Sequence, residues 1–371
     1  MNGAHTLVQI PPGVQCFVGE EARRRREIED RVLSVFLGWD YEEIIPPLFD
    51  YADVFSEPSL RSRTYSFLGR DGSVLALRPD FTSLLAKIAA GRLAGRGLPM
   101  RLYYSGEVLR YEPPRAGRQS ELYQMGLERL GGEGRTGEVE VLAIAAESLE
   151  AAGVSDFVLT LGHVGVFSRL VAACGLDAAT EGALRDRVEA KDGDGAAEVL
   201  ARSAARPELR EAILRLTELA GSTSVLDDAR RVLAPSEEAL GALSELADTV
   251  RALEAAGLGN RLAIDLGEVR GLDYYTGLVF RVYAPGLGFE VGGGGRYDGL
   301  LGRYGRPMAA VGFMLGLDRL DVLLARQLAE ITKRRAIPVD VTGGSLAEAL
   351  TLARRRRTEG ERVRFLEGGD R

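Results

Sequence analysis

Between Arg270 and Arg319 the chain sets RGLDYYTGLVF ahead of GFEVGGGGRYDGLLGRYG and AVGFMLGLDRL. Arg270, Arg296 and Arg319 supply planar cationic forks suited to a carboxylate or phosphate. Gly292 to Gly295 let a backbone bend and approach a ligand closely, although such a run also makes an ordinary loop or bulge. Alternation around Tyr274 and Tyr275 predicts a strand, in which adjacent side chains point to opposite faces. One ring is then free to line a pocket, while plain packing would also account for the pair. The implied ligand is small and anionic.

Further polar residues sit where elements change. In LALRPDFTSLLAKIAA, Asp80 and Thr82 lie at a switch from strand to helix. A carboxylate there can pair with an ammonium and a hydroxyl can add a hydrogen bond, or both can simply cap the helix. RLYYSGEVLRYEPPRAGRQSELYQMGLERLGG, residues 101–132, is expected to run strand, loop, strand. Arg110 projects from the first strand toward a phosphate or carboxylate. Gln124 and Glu128 are four residues apart and face one side of the second, where they form either a site for an imidazole or ammonium or a solvated polar stripe.

These residues need a scaffold, and the chain is long enough to supply one. Its 371 residues are 46% hydrophobic, sufficient for a large core in two or three domains. The net charge of −7 gives no global attraction to nucleic acid. His5 and His163 are the only histidines, and Cys16 and Cys174 the only cysteines, so neither a metal site nor a disulfide framework is expected. His163 reads as structural. The N-terminus lacks the pattern of a signal peptide and no segment has the apolar length of a membrane span, so a cytoplasmic protein is expected.

Residues 18–37 predict an amphipathic helix with Ile28, Val32, Leu33 and Phe36 on its apolar face and the Arg23 to Arg26 run in solvent. A strand ending at Pro46 and Pro47 follows, then a hairpin around Asp71 and Gly72 and a helix from Thr82. Residues 165–255 read as helices packed on leucines, with no chemistry assigned. After Arg319 come a helix and one strand–helix–strand unit over 326–371. Arg354 to Arg357 cannot share one helix face and are expected in solvent.

The Arg270 to Arg319 block resembles the two histidine signatures and third motif of histidyl-tRNA synthetases, and residues 18–50 and 101–132 resemble the first and second motifs of class II aminoacyl-tRNA synthetases. The resemblance implies an α+β fold: an antiparallel sheet core flanked by helices over 1–325, a helical insertion at 165–255, and a truncated anticodon-domain-like α/β segment at 326–371. It also implies a histidine pocket of Asp80, Thr82, Arg110, Gln124, Glu128, Arg270, Tyr274 and Tyr275, residual nucleotide-type positions at Arg118 and Arg319, and a homodimer through residues 18–50.

The departures from the synthetase pattern fall where ATP would be held. Pro113 and Ser120 stand at positions usually held by arginine, and Leu122 at that of the ring that stacks on adenine. Together with the shortened C-terminal segment, these resemble the synthetase-like regulatory subunits of ATP phosphoribosyltransferase. That resemblance implies a subunit with no catalytic residues and no cofactor, joined as a homodimer in a hetero-oligomer to a short-form catalytic subunit. The subunit would activate that partner and mediate feedback inhibition by histidine in the first step of histidine biosynthesis. The alternative is a working histidyl-tRNA synthetase; tRNA binding without charging has the weakest support.

Overall fold

The computed structural model describes residues 9–111, 119–132, 134–269, 274–332, 339–341 and 345–365. In chain order the elements are α1 (Gly19–Gly38), β1 (Glu42–Glu43), β2 (Phe49–Tyr51), β3 (Ser66–Leu68), β4 (Val74–Leu77), α2 (Thr82–Ala90), β5 (Met100–Leu109), β6 (Glu121–Leu130), α3 (Thr136–Ala152) and β7 (Val158–His163). Then come α4 (Val164–Cys174), α5 (Ala178–Glu189), α6 (Gly193–Ala201), α7 (Pro207–Leu216), β8 (Ala220–Gly221), α8 (Val225–Val232) and α9 (Glu237–Ala255). β9 (Leu262–Asp265), β10 (Leu278–Tyr283), β11 (Gly292–Arg296), β12 (Ala310–Gly316), α10 (Leu317–Thr332), β13 (Val339–Val341), α11 (Leu346–Thr358) and β14 (Val363–Phe365) complete the order.

One sheet organises the molecule, in the order β1-β5-β6-β12-β11-β10-β7-β9-β8. Its middle, from β5 to β7, is wholly antiparallel, and only the β1–β5 and β7–β9 pairs are parallel. The expected α+β sheet core is therefore present. Alternation along β6 sends Met125 and Leu127 into the main core and Gln124 and Glu128 to the other face. Helix α1 covers the core face with Ile28, Val32 and Phe36, spaced four residues apart on one stripe, while Glu20 and Glu21 favour its N-terminus electrostatically.

Several expectations about local structure need correcting. Within the Arg23 to Arg26 run, Arg25 is buried and pairs with Asp318 at 2.8 Å, and Arg24 reaches Asp321 at 2.5 Å. Part of the run thus clamps α1 to α10 rather than facing solvent. The strand after α1 stops at Glu43, short of the prolines, and β2 belongs to a separate three-stranded sheet.

The glycine run is not a bend. Gly292–Arg296 is an interior strand between β10 and β12. A Cβ on Gly292 or Gly294 would overlap a carbonyl oxygen of β12, and one on Gly293 would lie 2.7 Å from the Phe280 carbonyl. Close backbone approach therefore demands glycine, here from neighbouring strands.

The hairpin over β3 and β4, the helix from Thr82, and the helical composition of 165–255 match their sequence readings. Helices α4 to α9 pack on leucines continuous with the main core. β13 and β14 pair in parallel around α11, giving the expected strand–helix–strand unit. No helix among the described residues is long and apolar enough to cross a membrane.

Candidate functional site

The face of β6 turned away from the main core carries the site. Glu128 is 2% exposed and Gln124 4%, so the polar stripe is buried rather than solvated. Glu128 pairs in register with Gly312 of β12, and a Cβ there would overlap the Glu128 carboxyl oxygen. Glycine at 312 is what admits the carboxyl. Thr82, at the start of α2, donates to Glu128 Oε1 at 2.8 Å, and the Tyr297 hydroxyl forms a short bond to Oε2. Tyr274 stacks on Tyr297 with ring centres 5.3 Å apart and meets Tyr275 edge-on at 5.0 Å.

Together Thr82, Tyr104, Glu128, Tyr274, Tyr275 and Tyr297, with the strand glycines, line a cavity of about 50 Å³. That is room for a few water molecules, so a ligand of histidine size requires side chains to move. Burial pushes the Glu128 carboxyl up to about 8, with Asp80 adding repulsion and the bonds from Tyr297 and Thr82 opposing it. Burial also pushes the Tyr275 phenol up to about 12 and those of Tyr104, Tyr274 and Tyr297 well above their usual range.

Asp80 behaves partly as the capping reading expected and partly not. Its Oδ2 accepts from Ser83 Oγ at 3.0 Å in the first turn of α2, but its buried Oδ1 has no hydrogen-bond partner. Burial raises this carboxyl while Arg110 opposes the rise. Arg110 in turn donates from Nε to the Pro79 carbonyl at 2.7 Å, and burial lowers its guanidinium against the pull of Asp80. An orphaned acceptor beside the cavity is the kind of group that an ammonium would satisfy.

The predicted residues do not all converge. Tyr274 and Tyr275 precede β10 instead of lying within a strand, and both rings line the cavity. Arg296 is turned away: it pairs with Glu138 at 2.6 Å, reaches Asp298 at 3.3 Å and donates to the Gly134 carbonyl at 2.9 Å. Arg319 bonds to the Glu290 carbonyl at 2.5 Å and its carboxyl at 3.1 Å, with its guanidinium 5.4 Å from the centre of the Phe289 ring. Leu122 packs in the apolar cluster beside the site. Arg118, Arg270 and Pro113 lie outside the described residues. His163 accepts from the Gly165 amide at 3.1 Å and caps α4; burial lowers it to about 4, as suits a neutral structural histidine.

Two of the pocket's tyrosines escaped sequence reasoning. Tyr297 follows Arg296 directly and its phenol could have been noted there, whereas Tyr104 is brought in by the pairing of β5 with β6, which puts it opposite Gly126.

Comparison with known proteins bears on the family and the fold. The family model described as histidyl-tRNA synthetase matches residues 13–320. The ATP phosphoribosyltransferase regulatory subunit of Moorella thermoacetica is 40% identical over 365 residues, covering 96% of this chain and 91% of that protein. The protein of the same name from Geobacter sulfurreducens is 36% identical over 356 residues, covering 95% and 81%. Among solved structures, an ATP phosphoribosyltransferase regulatory subunit/histidyl-tRNA synthetase from Bacillus halodurans superposes with a TM-score of 0.84 at 28% identity, over 97% of this chain and 92% of that one. Histidyl-tRNA synthetase from Nostoc, at 22% identity, shares the fold with a TM-score of 0.79 over 98% and 87%.

Proposed function

The chain belongs to the histidyl-tRNA synthetase-like family of ATP phosphoribosyltransferase regulatory subunits, and from that premise we propose that it is a noncatalytic histidine sensor for a separate short-form catalytic subunit. In this role it activates the partner and carries feedback inhibition by histidine. The observation that carries the reading is a contrast within one site. The amino-acid side keeps a buried carboxyl, an orphaned acceptor and a ring of phenols. At the nucleotide-type positions Arg319 is engaged by Glu290, and Leu122, on the same face of β6 as Gln124 and Glu128, offers no ring for a base to stack on.

Within this reading Asp80 and Thr82 meet the ligand ammonium, Glu128 and Gln124 its imidazole, and Arg110 and Arg270 its carboxylate. Tyr274, Tyr275 and Tyr297 close over the ring. The subunit is cytoplasmic and works as a homodimer within the hetero-oligomer. An apolar surface beyond the predicted helix supports self-association: Ile45 is 85% exposed and Leu68 75%, with Leu48, Phe49, Tyr51 and Phe67 exposed beside them.

Histidine-dependent ATP–pyrophosphate exchange separates this reading from a synthetase. The sensor binds histidine and shows no exchange; exchange above background, followed by charging of tRNA, would establish the synthetase instead.

A further inference from the structure

Glu128 is a buried acid held by hydroxyls. Its two oxygens meet Thr82 and Tyr297, and among the described residues no arginine, lysine or histidine pairs with it. Among the described residues, each element packed around it presents an uncharged group or another acid. Tyr104 comes from β5, Tyr274 and Tyr275 from the segment before β10, and Tyr297 from the turn after β11. The start of α2 brings Thr82 and, farther off, Asp80, while β12 brings Gly312, Phe313 and Met314. Arg110 acts on Asp80, so that acid has a countercharge. Glu128 has none among the described residues, so its carboxylate form bears the cost of burial. Its ordinary range is displaced to about 8, which makes it a neutral acid at pH 7 in the free protein.

Resting on the histidine assignment above, we propose that Glu128 passes its proton to the imidazole of the bound ligand. The O–H bond of the carboxyl breaks, an N–H bond forms at the ring nitrogen facing it, and the pocket's net charge is unchanged. The effector arrives as a neutral base and is held as an imidazolium–carboxylate pair, a stronger contact than a neutral hydrogen bond. Thr82 and Tyr297 already point hydroxyls at both carboxyl oxygens and so suit the ionised product. Tyr297, which touches the acid through its phenol, is a positioning residue for this transfer.

Sharing of one proton between acid and ligand has a signature that binding beside a permanently ionised carboxylate lacks, and the protonation of the bound ring shows which of the two holds that proton. A free imidazole titrates near about 6.5. Between that value and about 8, base and acid are both neutral before binding, and no proton is exchanged with solvent. Below that window the ligand arrives protonated, so the Glu128 proton is released. Above it Glu128 is already ionised, and one proton is taken up.

Calorimetry of L-histidine binding to the full chain, in buffers of differing ionisation enthalpy, tests this at three pH values, below, within and above the window. The expected counts are release of nearly one proton, none, and uptake of nearly one. Subtracting the counts for Glu128→Gln isolates this group from Asp80 and from the ligand's own amine. Tyr297→Phe, which loses a bond favouring the ionised acid, should move the upper transition to higher pH. Triazolylalanine has the shape of histidine but a far weaker base, and should bind wild-type protein about tenfold or more weakly, without uptake at the highest pH. A count of constant sign, a count equal to that of Glu128→Gln, or equal affinity for the two ligands would overturn the proposal, as would an NMR spectrum of bound, ring-nitrogen-labelled histidine within the window that shows one unprotonated nitrogen where two protonated ones are expected. Where Glu128→Gln binds too weakly to count, the comparison of ligands decides. No histidine binding by the wild type would instead refute the assignment of the pocket.

Discussion

Glu128→Gln should change stability in a pH-dependent way that needs no ligand. The folded protein holds this carboxyl near about 8, against 4.5 for the free group. Between those values the folded state binds a proton that the unfolded state has given up, so stability falls as pH rises. A proton difference of one corresponds to about 1.4 kcal/mol per pH unit, and the whole interval to at most about 5 kcal/mol. Glutamine removes this dependence and keeps nearly the same volume. The variant should therefore gain on the wild type by roughly 1 kcal/mol per pH unit from about pH 5 to 8, then level off. Urea unfolding of both proteins at each pH measures the difference, and all other titrating groups cancel. A difference that is flat with pH would show that Glu128 is ionised in the free protein, and would remove the basis for the proton transfer.

Other expectations follow from the same contacts. Arg296→Met leaves Glu138, 5% exposed, without its closest cation, and should cost about 3 kcal/mol in urea unfolding; a loss under 1 kcal/mol would mean the pair contributes little. His163→Asn should reduce acid sensitivity: the folded histidine is held near about 4, so wild-type stability falls as pH drops from about 6.5 toward that value, and this loss should shrink in the variant. Ile45→Asp places a charge in the exposed apolar surface and should yield monomers in light scattering with an unchanged circular dichroism spectrum. A dimer that survives this change would put the contact elsewhere.

Patterns set by local rules were legible in the sequence. The α1 stripe, the hairpin at Asp71 and the start of α2 depend on periodicity and turn chemistry, and each appears where it was expected. Gln124 and Glu128 were placed together by strand alternation alone. Which face was buried was not, because burial depends on the elements packed above β6. The arginines were harder. Arg296 and Arg319 have the residue type of an anion clamp, yet their acids, Glu138 and Glu290, come from other elements, and one-dimensional spacing gives no view of that pairing. The glycine run misled for a related reason: the same lack of a Cβ serves a bend, a ligand contact or close strand packing, and only the sheet order distinguishes them. Tyr104 entered the site through the β5–β6 register, a tertiary fact.

Turnover by a purified short-form ATP phosphoribosyltransferase from the same organism, measured while this protein is titrated in with and without histidine, tests the central claim most directly. Saturable stimulation that histidine reverses, with the reversal weakened in Glu128→Gln, is the expected result. Turnover that is indifferent to the added protein would contradict the account.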